Sequence, residues 1–253
     1  MFAPEIAVIW LHVAVFQLPG LRCEANYLQF AIGWTWDRKP VVDHEKINVT
    51  ISPGPDHSKY TVDVKFSGPI LKRDPQPDDA QKGAPYPWIT EYECAQAFFA
   101  NEEGRYLQVI MDPYGSYQIL LHDGYRAEKS YLRAASSLKA NGSWWEGKLT
   151  IPVTYFPPRV TKFNAAAEHG QPLGNRSFEV LHPQDPDKHP YPDAHVVQYF
   201  QTINFYEVCP GNREAEYSMY WLDVMSAGSS ITVSVAYLIV IEVAVKCVGR
   251  ILS

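Results

Sequence analysis

At 253 residues, the chain is long enough for one large domain or two small ones. It is 46% hydrophobic and 20% charged, which supplies a sizeable core and excludes wholesale disorder. A net charge of -6 with a pI near 5.7 excludes the basic face that nucleic-acid partners require.

The chain opens on an apolar run, Ile6 to Phe16, broken by Pro19-Gly20. Its length suits the apolar region of a signal peptide, with Cys23-Glu24-Ala25 as a small-residue cleavage site. Glu5 stands where a basic residue is usual, so a buried strand is the competing reading. Ile47, Val49 and Ile51 alternate with polar residues, as do Tyr60, Val62, Val64 and Phe66. With SPGPDHSK between them, these read as a β-hairpin with one buried face. Residues 71–87, rich in Pro, Asp and Gln, read as a long loop, and 95–99 as a strand. A second hairpin pairs 106–111 with 117–122 through Asp112-Pro113-Tyr114-Gly115, which is turn chemistry. Weak helix signals fall in 125–139. Strands are expected at 148–153, 177–181 and 196–204, with a loop at 182–192. The chain closes on the apolar run Ile231–Val245, short for a membrane span. Glu242, Lys246 and Arg250 fall on one helical face, so a single span, an amphipathic tail and a cleaved lipid-anchor signal at Ser226-Ala227-Gly228 all stand open.

Many short strands joined by polar loops predict an all-β, antiparallel β-sandwich, with apolar segments at both termini. The expected organisation is a signal-like segment over 1–30, the sandwich over 31–225 and an apolar tail over 226–253. Secretion or membrane anchoring through the tail follows if the ends act as targeting elements, and a cytoplasmic location otherwise. Asn48, Asn141 and Asn175 each head a glycosylation sequon, which has meaning only on a secreted glycoprotein. Cys94 and Cys209 are candidates for a disulfide in that compartment, or for two buried free thiols.

No nucleophile elbow, P-loop, dinucleotide fingerprint or HExxH stands in the chain. Glu91, Glu93, Glu102, Glu103, Asp112 and Glu146 are carboxylates from which a glycosidase pair could come, but no spacing fixes one. The expectation is therefore a protein that is not an enzyme. Asp185, Asp187 and Asp193 sit in an oxygen-rich loop that is a weak calcium candidate, with a solvated acidic loop as the alternative. The aromatic residues are the stronger lead, because sugars stack their C–H faces on flat rings. Trp145, opening an alternating strand, is assigned to the core. Trp36, Tyr86 and Trp88 are the stacking candidates, with Glu91, Glu93 and Asn101 as hydroxyl partners.

Longer segments carry a resemblance. WTWDRKPV, EYECAQAFFANEEGRYLQV, WEGKLTIPVTYFPPRVTKFN, SFEVLHP and YPDAHVVQYFQTINF, in that order between Trp34 and Asp223, resemble an animal protein family of the chromosome-4 open-reading-frame type. That family in turn resembles family-nine carbohydrate-binding modules. The resemblance implies one β-sandwich domain of sugar-binding type. Gln96 departs from the related pattern, which has an acidic residue before Ala-Phe-Phe. Three readings follow: a non-catalytic carbohydrate-binding sandwich, a protein-interaction or structural sandwich without sugar binding, and a carbohydrate-active hydrolase.

Overall fold

The computed structural model describes residues 27–55, 58–71, 79–124, 126–129, 132–170 and 176–226. The strands in chain order are β1 (Leu28–Ile32), β2 (Trp34–Thr35), β3 (Ile47–Gly54), β4 (Ser58–Pro69), β5 (Cys94–Ala100), β6 (Arg105–Met111) and β7 (Tyr117–Asp123). They continue with β8 (Arg126–Lys129), β9 (Ala135–Asn141), β10 (Trp144–Pro152), β11 (Lys162–His169), β12 (Ser177–Val180) and β13 (Gln201–Thr202). One sheet runs β1-β3-β4-β10-β9. The other runs β2-β12-β11-β5-β6-β7-β8, with β13 also paired to β11. Every strand pair is antiparallel.

The two sheets pack face to face as a sandwich. Period-2 alternation puts Val49, Ile51, Val62, Val64, Phe66, Trp145 and Leu149 of the smaller sheet into the core. Phe99, Leu107, Val109, Met111, Ile119 and Phe163 of the larger sheet meet them. Trp145 is buried against Phe66, as expected of a core residue. Two residues on, a Cβ at Gly147 would lie 2.6 Å from Met111 Sδ and 2.9 Å from the Trp145 ring. Glycine is what lets β10 carry tryptophan and still receive a methionine from the opposite sheet.

Both expected hairpins form, as β3–β4 and β6–β7. In the second, Asp112 Oδ1 accepts the backbone N–H groups of Tyr114, Gly115 and Ser116 at 2.9, 2.7 and 2.8 Å, and Gly115 takes a φ of 98°.

Three readings need correction. The helix signals of 125–139 give way to β8 and β9, because pairing to β7 and β10 outweighs a weak local propensity. Residues 196–204 form a 3₁₀ turn at Val197–Tyr199 and the two-residue β13 rather than a long strand. Residues 162–169, read as no element, form β11 between β12 and β5. Its Ala165-Ala166-Ala167 run is buried on both faces and so shows no alternation. Cys94 and Cys209 are buried free thiols in separate apolar clusters, so the disulfide is not formed.

A short helix over 219–226 closes one end, with Trp221 buried and its Nε1–H donating to the Tyr155 carbonyl at 3.1 Å. The signal-like run and the apolar tail lie outside the described residues. Among the described residues no helix is long and apolar enough to cross a membrane.

Candidate functional site: a polar groove on the larger sheet

The face of the larger sheet turned away from the core is not uniformly apolar. Alternation along β5, β6 and β7 turns Gln96, Gln108, Gln118 and His122 outward, from strands whose other face is core. A loop over 182–200 covers them. The result is a cleft of about 740 Å³ and, sharing Thr90, Gln108 and His195 in its lining, a second chamber of about 310 Å³. Both volumes lie in the range of small-molecule sites.

The floor is a chain of hydrogen bonds whose direction can be worked out. Glu168 on β11 is a carboxylate and only accepts, so Gln96 must turn its NH₂ toward Oε1, at 2.6 Å. That leaves Gln96 Oε1 to accept from Gln108 Nε2 at 2.7 Å, and Gln108 Oε1 to accept from His122 Nε2–H at 2.8 Å. Each step is diagonal in the register: Gln96 lies opposite Ala166, Phe98 opposite Gln108, and Tyr106 opposite His122. Burial drives the His122 pKa down to about 3, which keeps the ring neutral with its proton on Nε2. The ring stacks on Tyr106, centroids 4.3 Å apart at 6°. Its buried Nδ1 has no hydrogen-bond partner among the described residues.

That row of hydrogen bonds ends in an ion pair in the groove lining. Arg176 Nη2 and Nε reach Glu168 Oε2 at 2.8 and 3.1 Å. The same guanidinium donates to the carbonyls of Thr90 and Tyr92, fastening the 3₁₀ turn Ile89–Glu91 to the sheet edge. Burial raises the Glu168 pKa, and Arg176 and Gln96 oppose that shift. Trp36 and Phe178 form an aromatic wall, and the Trp36 backbone N–H donates to the Phe178 carbonyl at 3.0 Å. Arg38 at φ 70° completes the tight turn that holds Trp36 there.

The opposite rim is Pro192-Asp193-Ala194-His195. Gln184, buried in that loop, donates to the carbonyls of His189 and Tyr191 and accepts the Asp193 N–H. Tyr106 Oη and His195 Nδ1 lie 2.8 Å apart. Burial lowers the His195 pKa, against the pull of Asp193.

Among the expected ligand residues, Trp36 and Glu91 do line the groove. The others have other places. Trp88 is 60% exposed and stands outside the groove lining. Tyr86 is packed with Ile89, Cys94 and Ile110. Glu93 is buried and accepts the Leu71 N–H at 2.9 Å, tethering the end of the 71–87 loop. Asn101 is a turn pin: Oδ1 accepts the N–H groups of Glu103 and Arg105, and Nδ2 donates to Pro158 O and Tyr217 Oη.

The calcium loop is not assembled. Asp185 accepts the Asp187 N–H and faces Arg38 and Lys188, while Asp193 caps the His195 N–H. Among the described residues, metal-competent side chains converge in threes at His44, His169 and Glu179. Of the sequons, Asn141 is exposed at the β9 end, Asn48 donates to the Lys46 carbonyl, and Asn175 lies outside the described residues.

The residues that build the groove but were not legible as a site are Gln108, Glu168, Arg176, Phe178 and His195. One signal was present: β5, β6 and β7 each place a polar side chain on the face that alternation turns away from the core.

The architecture is therefore an antiparallel β-sandwich with a polar groove across one sheet. The chain belongs to the UPF0462 family, that of C4orf33: it is 36% identical to the human UPF0462 protein C4orf33 over 183 residues, covering 70% of this chain and 88% of the relative. The mouse homolog is 35% identical over 70% of this chain and 92% of its own length, and the zebrafish homolog 33% over 72% and 91%. No family model matches. Among solved structures, a candidate carbohydrate-binding protein of Bacteroides uniformis is similar, with TM-score 0.49 and 14% identity, over 70% of this chain and 85% of that one.

Proposed function

We propose that this protein is a non-catalytic carbohydrate-binding sandwich, with the groove over Gln96, Gln108 and Glu168 as its site. The observation that carries the reading is the hydrogen-bonded carboxamide row beneath an aromatic wall. A sugar hydroxyl donates and accepts at once. A carboxamide offers both roles, and Gln96 on β5 beside Gln108 on β6 offers both at two neighbouring positions. Trp36 and Phe178 add flat faces for the apolar side of a pyranose. The second chamber, which shares Thr90, Gln108 and His195 with the first, would extend the groove to suit an oligosaccharide rather than a single ring.

Calorimetric titration with a panel of neutral and acidic oligosaccharides tests this. The wild type is expected to bind at least one. Trp36→Ala is expected to weaken that binding at least about tenfold, a loss of about 1.4 kcal/mol, and Trp88→Ala to leave it unchanged. Absence of binding across the panel would return the chain to a protein-interaction sandwich.

One observation favours a hydrolytic reading. Burial raises the Glu168 pKa, as general acids require, although Arg176 pairs with it. Sugar turnover that vanishes in Glu168→Gln would support that reading.

A further inference from the structure

We propose that His44, His169 and Glu179 form a binding site for one divalent transition-metal ion of the zinc class. The three side chains come from separate places: His44 from the β2–β3 connection, His169 from the end of β11, and Glu179 from β12. Their ligand atoms all lie within 4.8 Å of one another. His44 Nε2 stands 2.8 Å and His169 Nε2 2.7 Å from the same oxygen, Glu179 Oε1. The two rings meet edge to face, at 85° with centroids 5.4 Å apart, on that shared oxygen.

The tautomer of His44 is fixed from behind. Its Nδ1 lies 2.9 Å from the Glu45 carbonyl, which only accepts, so Nδ1 carries the proton. Nε2 is then the atom turned to Glu179 Oε1, an N–H donor in the charged ring and, in the neutral ring, a lone pair free to bind a metal ion. A backbone carbonyl holding the far nitrogen is the usual support of a metal-ligating histidine.

The carboxylate gives an independent sign. Glu179 is only 3% exposed, yet both imidazoles crowd Oε1 while its buried Oε2 has no hydrogen-bond partner among the described residues. An ion seated among the three would take up that unused acceptor. Two imidazoles and one carboxylate are a donor set that zinc-class ions favour and calcium does not. Zinc bonds of about 2.0–2.1 Å set tetrahedral ligand atoms about 3.3 Å apart, so the cluster opens by about half an ångström on loading. Asp43 Oδ1 lies 3.7 Å from His44 Nε2 on an exposed side chain, within reach as a fourth donor. Bound metal would tie the β2–β3 connection to the β11–β12 edge. Glu179 also lines the groove, so the ion would sit just behind the groove wall.

The test uses the full chain without an affinity tag, stripped with chelator and titrated with zinc chloride by calorimetry. Cobalt(II) chloride is added in parallel as a spectroscopic probe. One zinc per chain is expected, together with visible cobalt bands of tetrahedral intensity and a higher melting temperature. His169→Gln and Glu179→Gln are each expected to weaken zinc binding at least about 100-fold, while Trp36→Ala binds zinc normally. If circular dichroism shows either variant unfolded, His44→Gln, on a connecting loop, carries the comparison. No zinc binding by the wild type, undiminished binding in the folded variants, or tighter binding of calcium than zinc would each overturn the site.

Discussion

Gln96 is the residue at which sequence pattern and structure most usefully disagree. Read against the related pattern, it is a missing acid. In the fold it is the necessary neighbour of Glu168, because its NH₂ faces that carboxylate at 2.6 Å and an acid there would oppose like charges. Gln96→Glu is therefore expected to destabilise the protein by about 3 kcal/mol at neutral pH, and by less at pH 4. Chemical denaturation at the two pH values measures it. His122 makes a second residue-scale prediction. Its folded pKa, about 3, lies below the ordinary 6.5, so the fold prefers the neutral ring. The unfolded chain binds the extra proton between those values. Its stabilising contribution is full above about pH 6.5 and is lost as pH falls toward 3, at up to about 1.4 kcal/mol per pH unit. The stability difference between wild type and His122→Gln, followed from pH 7 to pH 4, is expected to shrink accordingly. A ring that titrates near pH 6.5 by NMR would contradict it.

At the scale of elements, legibility followed alternation. The β3–β4 and β6–β7 hairpins show a clean period of two with turn chemistry between, and both stand where the pattern places them. β11 was invisible because a strand buried on both faces has no polar side to mark its period, and three alanines carry little β signal. β8 and β9 were obscured because their own residues are polar and β9 shows no buried face to mark a period of two. The site was legible only in part for a related reason. Aromatic residues near loops drew attention to Tyr86 and Trp88, whereas burial of Tyr86 and exposure of Trp88 are decided by packing that sequence does not display. The Trp145-Glu146-Gly147 segment of β10 gives this scale its prediction. Gly147→Ala drives a methyl group into Met111 and the Trp145 ring, and is expected to cost about 1–3 kcal/mol. Pairing it with Met111→Ala is expected to recover part of that loss relative to Met111→Ala alone, as a double-mutant cycle would show.

At the scale of the molecule, the two sheets divide the work. The smaller sheet lies over the core, and the larger carries the groove on its far face. A sandwich supplies what such a site needs, since strands hold side chains more precisely than loops do. Four strands set the spacing of the hydrogen-bonded chain Glu168–Gln96–Gln108–His122, Arg176 locks it to the turn at Ile89–Glu91, and Gln184 shapes the covering loop. His44, His169 and Glu179 stand beside this groove at the β11–β12 edge, where a bound ion would brace its wall.

The central claim is that sugar hydroxyls meet the carboxamide row. It is tested most directly by following the side-chain NH₂ resonances of Gln96 and Gln108 during titration with the tightest-binding oligosaccharide of the panel. The account predicts that both shift with the same saturation curve as the Trp36 indole N–H, while the Trp88 indole N–H stays in place. Binding that moves Trp88 and leaves Gln96 and Gln108 unmoved would contradict it.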